Sequence, residues 1–403
     1  MTQTFVIIGA GHAGGQAAAT LRMKGFEGRI VMIGDESYVP YERPPLSKAL
    51  LAGEIEIERT FLKKSTWFDD KDVDLRTDTL VESIDRTGKS VTLSDGESIG
   101  YDKLLIATGT RVRKLDLPGA DLDGIFYLRA IADTLAIQER MTPDSKVVIV
   151  GGGYIGLEVA AVGAKMGCDV TVLEGLERVM NRVVSPEVSA FYTDVHTKAG
   201  VKILCGVGVT GYEGDGTVSH VVCADGSKHE ADLVVVGVGV IPNYEIADAA
   251  GLDVDNGIVV DEFARTSDPD IFAAGDVTNH PNALLDRRLR LESVQNAVDQ
   301  AKTAANAMLG TLEEYAEIPW FWSDQYDLKL QIVGLSEQDD DVVVRGNPDD
   351  HKFSVCYLRD GEFVAINAIN NVKDFMGAKK LIAARRKIDP TVLADANTPL
   401  KEM

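Results

Sequence analysis

Cysteine is scarce in this sequence of 403 residues, which has only Cys168, Cys205, Cys223 and Cys356. No two of them form a Cys-x-x-Cys pair, and the six histidines show no paired spacing, so no metal-ligand set is predicted. Isolated thiols of this kind are typical of a reduced, cytoplasmic compartment. We expect each of the four to be buried as a structural side chain.

The sequence also has few basic residues relative to acidic ones and no long apolar run. The chain has 41 Lys and Arg against 63 Asp and Glu, a formal net charge of -22. Because phosphate groups are bound mainly by Lys and Arg, this balance argues against nucleic-acid or anionic-membrane partners. No apolar stretch reaches the ~18 residues of a membrane span, and the N-terminus lacks a signal-peptide pattern. A small basic patch facing an acidic protein remains compatible with this charge.

What the chain does contain is a strand-turn-helix-strand pattern that occurs twice, about 140 residues apart. Each copy has an apolar β-prone run, a glycine-rich turn, a helical stretch and a second apolar strand. The first copy is predicted at 5–8, 9–14, 16–24 and 30–33, and the second at 146–150, 151–156, 157–166 and 170–173. A duplication at this spacing excludes a solenoid of short repeats.

The first turn reads Gly9-x-Gly11-x-x-Gly14 and is followed by Asp35 at the end of the second strand. Gly9 allows a tight turn, Gly11 lets a pyrophosphate approach the backbone, and Gly14 allows close packing of helix on strand. A helix N-terminus there faces the phosphates, and the carboxylate accepts ribose hydroxyls. This combination predicts a dinucleotide site, although glycine-rich turns also occur for packing alone.

The second turn, Gly151-x-Gly153-x-x-Gly156, is followed by Glu174 at the end of its strand. Two complete units in one chain predict two bound dinucleotides. Glu174 favours NADH over NADPH, because its charge repels a 2'-phosphate, whereas the nearby Arg178 weakens that preference.

Other stretches predict further strands and a change of character near the C-terminus. A strand at 90–93 leads into a Ser94-Asp95-Gly96 hairpin turn, and 232–240 reads as one long buried strand that Pro242 ends. From about 319 onward, aromatic residues, strands at 341–344, 353–357 and 362–369, and a helix at 372–386 predict an α+β domain. The stretch from about 389 is expected to be surface loop.

Two more strand ends complete the pattern. Residues 104–109 (LLIATG) run into a small-residue turn, and 270–276 (DIFAAGD) end in Asp276, which is able to reach a polyol hydroxyl. With the first turn, they resemble the two-dinucleotide-binding-domain flavoproteins. The resemblance implies FAD at the first unit and NADH at the second. It also implies an α/β fold of two Rossmann-like domains plus a C-terminal α+β domain. The implied segments are 1–114 and 243–318 for FAD, 115–242 for NAD, and 319–403 for the C-terminal domain.

A narrower resemblance comes from 40–48 (PYERPPLSK), where disulfide reductases of this superfamily carry a redox cysteine pair. No cysteine precedes Cys168, so a dithiol relay is excluded and electrons must pass from the flavin directly to an external acceptor. Together with GGGYIGLE (151–158), DPDIFAAGD (268–276) and PWFWSDQYD (319–327), this segment resembles the ferredoxin reductases of bacterial oxygenase systems.

That resemblance implies individual roles. Lys48, Glu158 and Trp322 would act near the flavin and nicotinamide, with Lys48 stabilising negative charge on the reduced ring and Glu158 near the nicotinamide amide. Glu292 would serve similarly. The implied FAD-lining residues are Ala13, Asp35, Lys48, Val81, Arg129, Asp276 and Val294.

Each of these residues also has an ordinary structural interpretation. Lys48 is also compatible with an exposed helix position, and Arg129 with a surface ion pair. Val81 and the two tryptophans are compatible with a core position. A carboxylate such as Glu158 is favoured by the dipole at a helix N-terminus in any case. The basic residues Arg287, Arg288, Arg290 and Lys302 form either a solvated face or a docking patch for an acidic ferredoxin.

The sequence therefore predicts an NADH-dependent, FAD-containing reductase of a two-iron two-sulfur ferredoxin that serves a monooxygenase or dioxygenase. Rubredoxin or quinone reductases are alternatives, but the polar tail at 390–403 does not suit membrane binding. A protein like apoptosis-inducing factor, acting mainly by binding, conflicts with the charge of -22.

Overall fold

The computed structural model describes residues 2–403, and strands form most of its regular structure. Strands up to residue 127 are β1 Thr4–Ile8, β2 Arg29–Ile33, β3 Val73–Arg76, β4 Val81–Asp85, β5 Ser90–Leu93, β6 Ser98–Gly100, β7 Lys103–Ile106, β8 Thr110–Val112 and β9 Ile125–Tyr127. The next group is β10 Lys146–Val150, β11 Asp169–Glu174, β12 Lys202–Cys205, β13 Val209–Asp215, β14 Thr217–Cys223, β15 Lys228–Glu230, β16 Leu233–Val236 and β17 Val240–Pro242. The last are β18 Ile258–Val259, β19 Ile271–Ala273, β20 Thr278–Asn282, β21 Arg287–Leu289, β22 Trp320–Gln325, β23 Leu328–Gly334, β24 Asp341–Asn347, β25 Lys352–Arg359 and β26 Glu362–Ile369.

The helices are fewer and cover the parallel sheets and the C-terminal sheet. The α-helices are α1 His12–Met23, α2 Thr66–Asp70, α3 Ile131–Arg140, α4 Tyr154–Lys165, α5 Pro186–Lys198, α6 Glu245–Ala249, α7 Val294–Met308, α8 Val372–Ala383 and α9 Pro390–Ala394. Short 3-10 helices span Pro44–Ser47, Ile57–Thr60, Pro348–Asp350 and Leu400–Glu402. Among residues 2–403, no helix is long and apolar enough to cross a membrane.

The chain divides into two compact units. The first comprises Met1–Glu42, Ile57–Arg111 and Val240–Pro319, and the second comprises Arg43–Glu56, Val112–Gly239 and Trp320–Met403. The four-segment domain scheme drawn from the sequence stays a prediction beside this division.

The first unit is built on a parallel sheet in the order β19-β7-β1-β2-β3. Successive side chains of β1 enter different cores, because side chains alternate along a strand. Phe5 and Ile7 pack with α1 and α7, whereas Val6 and Ile8 pack with the antiparallel sheet β4-β5-β6. Burial on both faces explains why the strand reads as a continuous apolar run.

The second unit holds a parallel sheet, β12-β11-β10-β16-β9, and an antiparallel sheet, β22-β23-β26-β25-β24. The first of these repeats the architecture of the first unit, and the second is the C-terminal sheet that the sequence predicted. The predicted fold class is therefore confirmed.

Three predictions of local structure need correction. The helices after both turns begin earlier than predicted, at His12 and Tyr154. The run 232–240 is two strands, not one, because the chain turns at Gly237 to Gly239, where Gly239 has φ +103°. The C-terminal stretch is not simply surface loop: Leu393 and Leu400 are buried.

The C-terminal stretch is held by Arg345, which is buried and donates to the carbonyls of Leu393 and Thr398 at 3.1 and 2.7 Å. Cysteine burial is confirmed only for Cys223 and Cys356, since Cys168 and Cys205 are half-buried. All four are free thiols.

Candidate functional site

The first glycine turn has the geometry of a phosphate cradle. A Cβ on Gly9, which has φ +109°, would lie 2.2 Å from the Ala107 carbonyl oxygen, and one on Gly14 would lie 2.0 Å from the Gly9 oxygen. A Cβ on Gly11 would meet nothing within 4 Å. The outer glycines are thus required for packing, while the middle one faces the open space that a pyrophosphate needs. These residues fit a dinucleotide.

Other predicted FAD residues lie around this turn or elsewhere in the first unit. The turn at Gly275, which has φ +87°, brings its Cα close to Ala13, since an added Cβ would be 3.1 Å from the Ala13 Cβ. Asp276 follows directly and Val294 begins α7. Asp35 is exposed just beyond β2, and Val81 is buried in the core below the sheet. The structure therefore brings the Gly275 turn close to Ala13. Val81 is buried among apolar side chains, and its role in lining the FAD site stays a prediction.

The second turn repeats the first in detail. A Cβ on Gly151 would lie 2.4 Å from the Gly237 oxygen and one on Gly156 2.1 Å from the Gly151 oxygen, but Gly153 is open. The Glu174 carboxylate accepts the Gly152 amide at 2.6 Å and the Leu176 amide at 2.8 Å. The predicted acid is thus fixed at the turn, in reach of a ribose.

Arg178 does not compete for a phosphate group in this arrangement. Its guanidinium donates to the carbonyl oxygens of Val184 at 2.8 Å and Asn181 at 3.1 Å. The charge beside the second turn is therefore that of Glu174, which fits NADH better than NADPH.

Lys48 and Glu158 meet in the second unit, 110 residues apart in sequence. The Lys48 Nζ donates to Glu158 Oε2 at 2.6 Å, Ser47 Oγ donates to the same oxygen at 2.5 Å, and Ser323 Oγ donates to Oε1 at 2.6 Å. The carboxylate is 4% exposed and the lysine side chain 18%. An ionised carboxylate that accepts three hydrogen bonds is a well-satisfied buried acid.

This geometry replaces the helix-dipole interpretation of Glu158. Because α4 begins at Tyr154, Glu158 is its fifth residue and lies beyond the first turn, where the effect of the helix dipole is strongest. Its charge is stabilised by Lys48 and two serine hydroxyls. No sequence pattern indicated Ser47 or Ser323, since contacts over 111 and 165 residues leave no local signal.

Arg129 and Trp322 are the remaining predicted residues of the second unit. The Arg129 amide donates to Asp133 at 2.8 Å, and its carbonyl accepts from Arg43 at 2.5 Å. Trp322 is half-buried and stacks on Trp320, with ring centroids 5.7 Å apart. A half-buried pair offers an aromatic face, which a fully buried core residue would not.

The basic residues predicted as a docking patch are largely engaged within the first unit. Arg288 donates to the Val260 carbonyl at 2.7 Å, Arg290 pairs with Glu292 at 2.6 Å, and Lys302 pairs with Asp299 at 2.9 Å. Arg287 is exposed on β21. The pair with Arg290 also places Glu292, which is 44% exposed, at the surface.

The two cradles, the two parallel sheets and the antiparallel C-terminal sheet define a pyridine-nucleotide-dependent flavoprotein oxidoreductase. Residues 3–301 match the family model described as pyridine nucleotide-disulphide oxidoreductase, and residues 320–403 match the model described as reductase C-terminal. The chain belongs to this family, whose cofactors are FAD and NAD(H).

Relatives narrow the likeness within the family. A ferredoxin–NAD(P)(+) reductase of Sphingomonas sp is 44% identical over 98% of this chain and 96% of its own length. The ferredoxin–NAD(+) reductase component of the anthranilate 1,2-dioxygenase system of Burkholderia cepacia is 43% identical, over 98% of each chain. The crystal structure of the covalent putidaredoxin reductase-putidaredoxin complex matches with a TM-score of 0.96 and 42% identity, over 99% of this chain and 97% of that one. The resemblance to ferredoxin reductases is confirmed.

Proposed function

We propose that this chain is an NADH-dependent, FAD-containing reductase that passes electrons to a two-iron two-sulfur ferredoxin serving a monooxygenase or dioxygenase. The observation that carries the proposal is the pair of glycine cradles in a chain whose relatives are named ferredoxin reductases of oxygenase systems. FAD, when bound, would supply the redox chemistry, namely acceptance of a hydride and release of single electrons.

The segment before Lys48 supports an external electron acceptor. Pro44–Ser47 forms a 3-10 helix with no thiol, and the first cysteine of the chain is Cys168. The thiol pKa of Cys168 is raised by burial, so this residue is a weak nucleophile at neutral pH. Electrons therefore leave for a partner protein and not for an internal dithiol.

The residues of the chain bind, orient and provide charge. Gly9, Gly11 and Gly14 with Ala13, Asp35 and Asp276 would hold FAD, and Gly151, Gly153, Gly156 and Glu174 would hold NADH. With FAD bound, Lys48 would supply a cation that favours negative charge on the reduced ring, and Glu158 anchors that cation at 2.6 Å. Trp322 would offer an aromatic face to the reacting rings, and Arg129 would offer a phosphate or ring-edge contact.

We also place the reaction in the cytoplasm, where NADH is supplied and thiols stay reduced; four free cysteines are in keeping with this location. Cell fractionation with antibody detection tests it. Recovery of the protein outside the cytoplasmic fraction would contradict this placement.

The central experiment is spectroscopic. The purified protein should show a flavin absorbance spectrum that NADH bleaches without oxygen, and a two-iron two-sulfur ferredoxin should then restore it. Rubredoxin and a quinone serve as alternative acceptors at equal concentration. Absence of flavin, or turnover with the quinone or rubredoxin but not with any ferredoxin, would contradict the proposal.

A further inference from the structure

A continuous row of hydrogen bonds, three of them buried, leads from Tyr326 to Glu158 within the second unit. The Tyr326 hydroxyl lies 2.9 Å from His196 Nδ1, and His196 Nε2 lies 2.8 Å from Gln325 Oε1. Gln325 Nε2 donates to Ser323 Oγ at 3.1 Å, and Ser323 Oγ donates to Glu158 Oε1 at 2.6 Å. Four hydrogen bonds thus connect a half-buried phenol to the buried carboxylate that holds Lys48.

The bonds all point in one direction. Since the Gln325 amino group donates to Ser323, its oxygen faces His196, so the imidazole carries its proton on Nε2 and accepts from Tyr326 on Nδ1. Burial lowers the pKa of His196, which favours the neutral ring that this arrangement requires. Burial also raises the pKa of Tyr326 to about 12, so the phenol keeps the proton it donates.

Local structure sets the positions of these groups. Ser323 and Gln325 are alternate residues of β22 and therefore lie on one face, and both are 1% exposed. Tyr326 follows in a two-residue connection to β23, with φ +57°, a conformation that is strained for a bulky residue. His196, on α5, is fully buried. A fully satisfied buried network of this kind is rigid.

We infer that Ser323, Gln325, His196 and Tyr326 are positioning residues for the reaction with NADH, acting through Glu158. Their hydrogen bonds, which all run in one direction, fix Oε1 of the carboxylate. Oε2 therefore stays directed at Ser47 and Lys48. The inference rests on the proposed function, because it gives the Lys48–Glu158 pair a part in NADH oxidation. It adds four residues that lie outside both glycine turns.

The experiment compares single-turnover flavin reduction by NADH in the FAD-loaded protein and in Ser323→Ala, Gln325→Met and His196→Phe variants. Each variant removes one donor from the row of hydrogen bonds. We expect the limiting rate to fall about tenfold in Ser323→Ala, which is the net worth of one hydrogen bond to a charged group. The NADH concentration for half-maximal rate should stay unchanged, since none of the four hydrogen bonds involves a residue of the second turn. The effect should be smaller in Gln325→Met and His196→Phe.

Two matched variants separate positioning from simple packing. His196→Gln keeps an N–H donor where Nε2 stands, and should recover most of the rate lost in His196→Phe. Tyr192→Phe alters a buried phenol one turn earlier on α5 whose hydroxyl has no hydrogen-bond partner, so it should leave the rate at the wild-type value. Equal rates in Ser323→Ala, Gln325→Met and Tyr192→Phe would overturn the inference while leaving the proposed function intact.

A second measurement does not depend on turnover. ¹⁵N NMR of the histidine-labelled holoenzyme should show His196 as the neutral Nε2–H tautomer, and this signal should change in Gln325→Met. A proton on His196 Nδ1 would reverse the direction of the hydrogen bonds and overturn the inference, even in a fully active enzyme. If NADH fails to reduce the wild-type flavin, the proposed function fails and the inference fails with it.

Discussion

The ammonium of Lys48 lies 2.6 Å from Oε2 of Glu158, and the two side chains are 18% and 4% exposed. Lys48 follows a thiol-free 3-10 helix and Glu158 lies inside α4, so the pair joins two segments distant in sequence. Removing one charge from such a pair leaves the other buried without compensation, which costs much more than breaking a surface pair.

The first prediction concerns Lys48→Met. The change leaves the Glu158 carboxylate with only the Ser47 and Ser323 hydroxyls, so we expect the free energy of unfolding to fall by about 3 kcal/mol. Adding Glu158→Gln to Lys48→Met should recover part of that loss, because the uncompensated charge disappears. Denaturant melts of the holoenzyme followed by far-UV circular dichroism measure both.

An exposed pair in the same unit provides the control. Lys165 and Glu54 lie 2.6 Å apart, with side chains 66% and 50% exposed. We expect Lys165→Met to change the free energy of unfolding by no more than about 0.5 kcal/mol. Equal losses in Lys48→Met and Lys165→Met would contradict a buried, coupled pair.

The second prediction concerns coenzyme choice at Glu174. In Glu174→Gln the amide oxygen still accepts one of the amides of Gly152 and Leu176, but the charge that repels a 2'-phosphate is gone. We expect the preference for NADH over NADPH, measured as the ratio of kcat/KM values, to narrow by about tenfold. Asp169→Asn, at the start of the same strand and paired with Lys202, should keep the wild-type ratio. A wild-type enzyme that prefers NADPH would contradict the role assigned to Glu174.

Local patterns in the sequence predicted the parts of the site that the backbone of one segment builds. Both glycine turns belong to this group, because each is a contiguous strand-turn-helix in which the spacing of the glycines predicts the geometry of the turn. The Lys48–Glu158 contact was not predictable from spacing, since it depends on how Pro44–Ser47 lies against α4. His196 carried no signal for the same reason: its partners Gln325 and Tyr326 are about 130 residues away.

The errors in the fold have a similar cause. Residues 232–240 were predicted as one strand because valine has a high β-propensity. The glycines within the run allow a turn, which β-propensity alone does not predict. The C-terminal stretch was expected to be exposed because its composition is polar. Arg345 holds this stretch by hydrogen bonds to backbone carbonyls. Because every residue has such a carbonyl, the amino-acid composition does not indicate these bonds.

The third prediction is a pH dependence of stability set by His280. Burial, together with the charge of Arg288, lowers the pKa of His280 from 6.5 to about 4. Between these values the unfolded chain binds a proton that the folded chain does not, so the stability present near pH 7 is lost as the pH falls toward 4. The loss amounts to about 3 kcal/mol.

His280→Phe tests this prediction, because a phenyl ring has no titratable group and suits the ring of Tyr315, 5.0 Å away. The unfolding midpoint of this variant should decline less steeply than that of the wild type from pH 7 to pH 4.5. His220→Gln, at a residue whose ring bonds the exposed Ser219 hydroxyl, should keep the wild-type slope. Parallel curves for wild type and His280→Phe would refute the assignment.

The fourth prediction separates binding from folding at the second turn. A methyl group on Gly153 meets nothing within 4 Å, whereas one on Gly156 would lie 2.1 Å from the Gly151 oxygen. Gly153→Ala should therefore keep the wild-type thermal midpoint and raise the KM for NADH about tenfold or more, because the methyl occupies the pyrophosphate space. Gly156→Ala should lower the midpoint by several degrees, because helix and turn must move apart. Thermal melts and NADH titrations on both variants measure this difference. A Gly153→Ala enzyme with unchanged KM would mean that the open side of the turn does not face NADH.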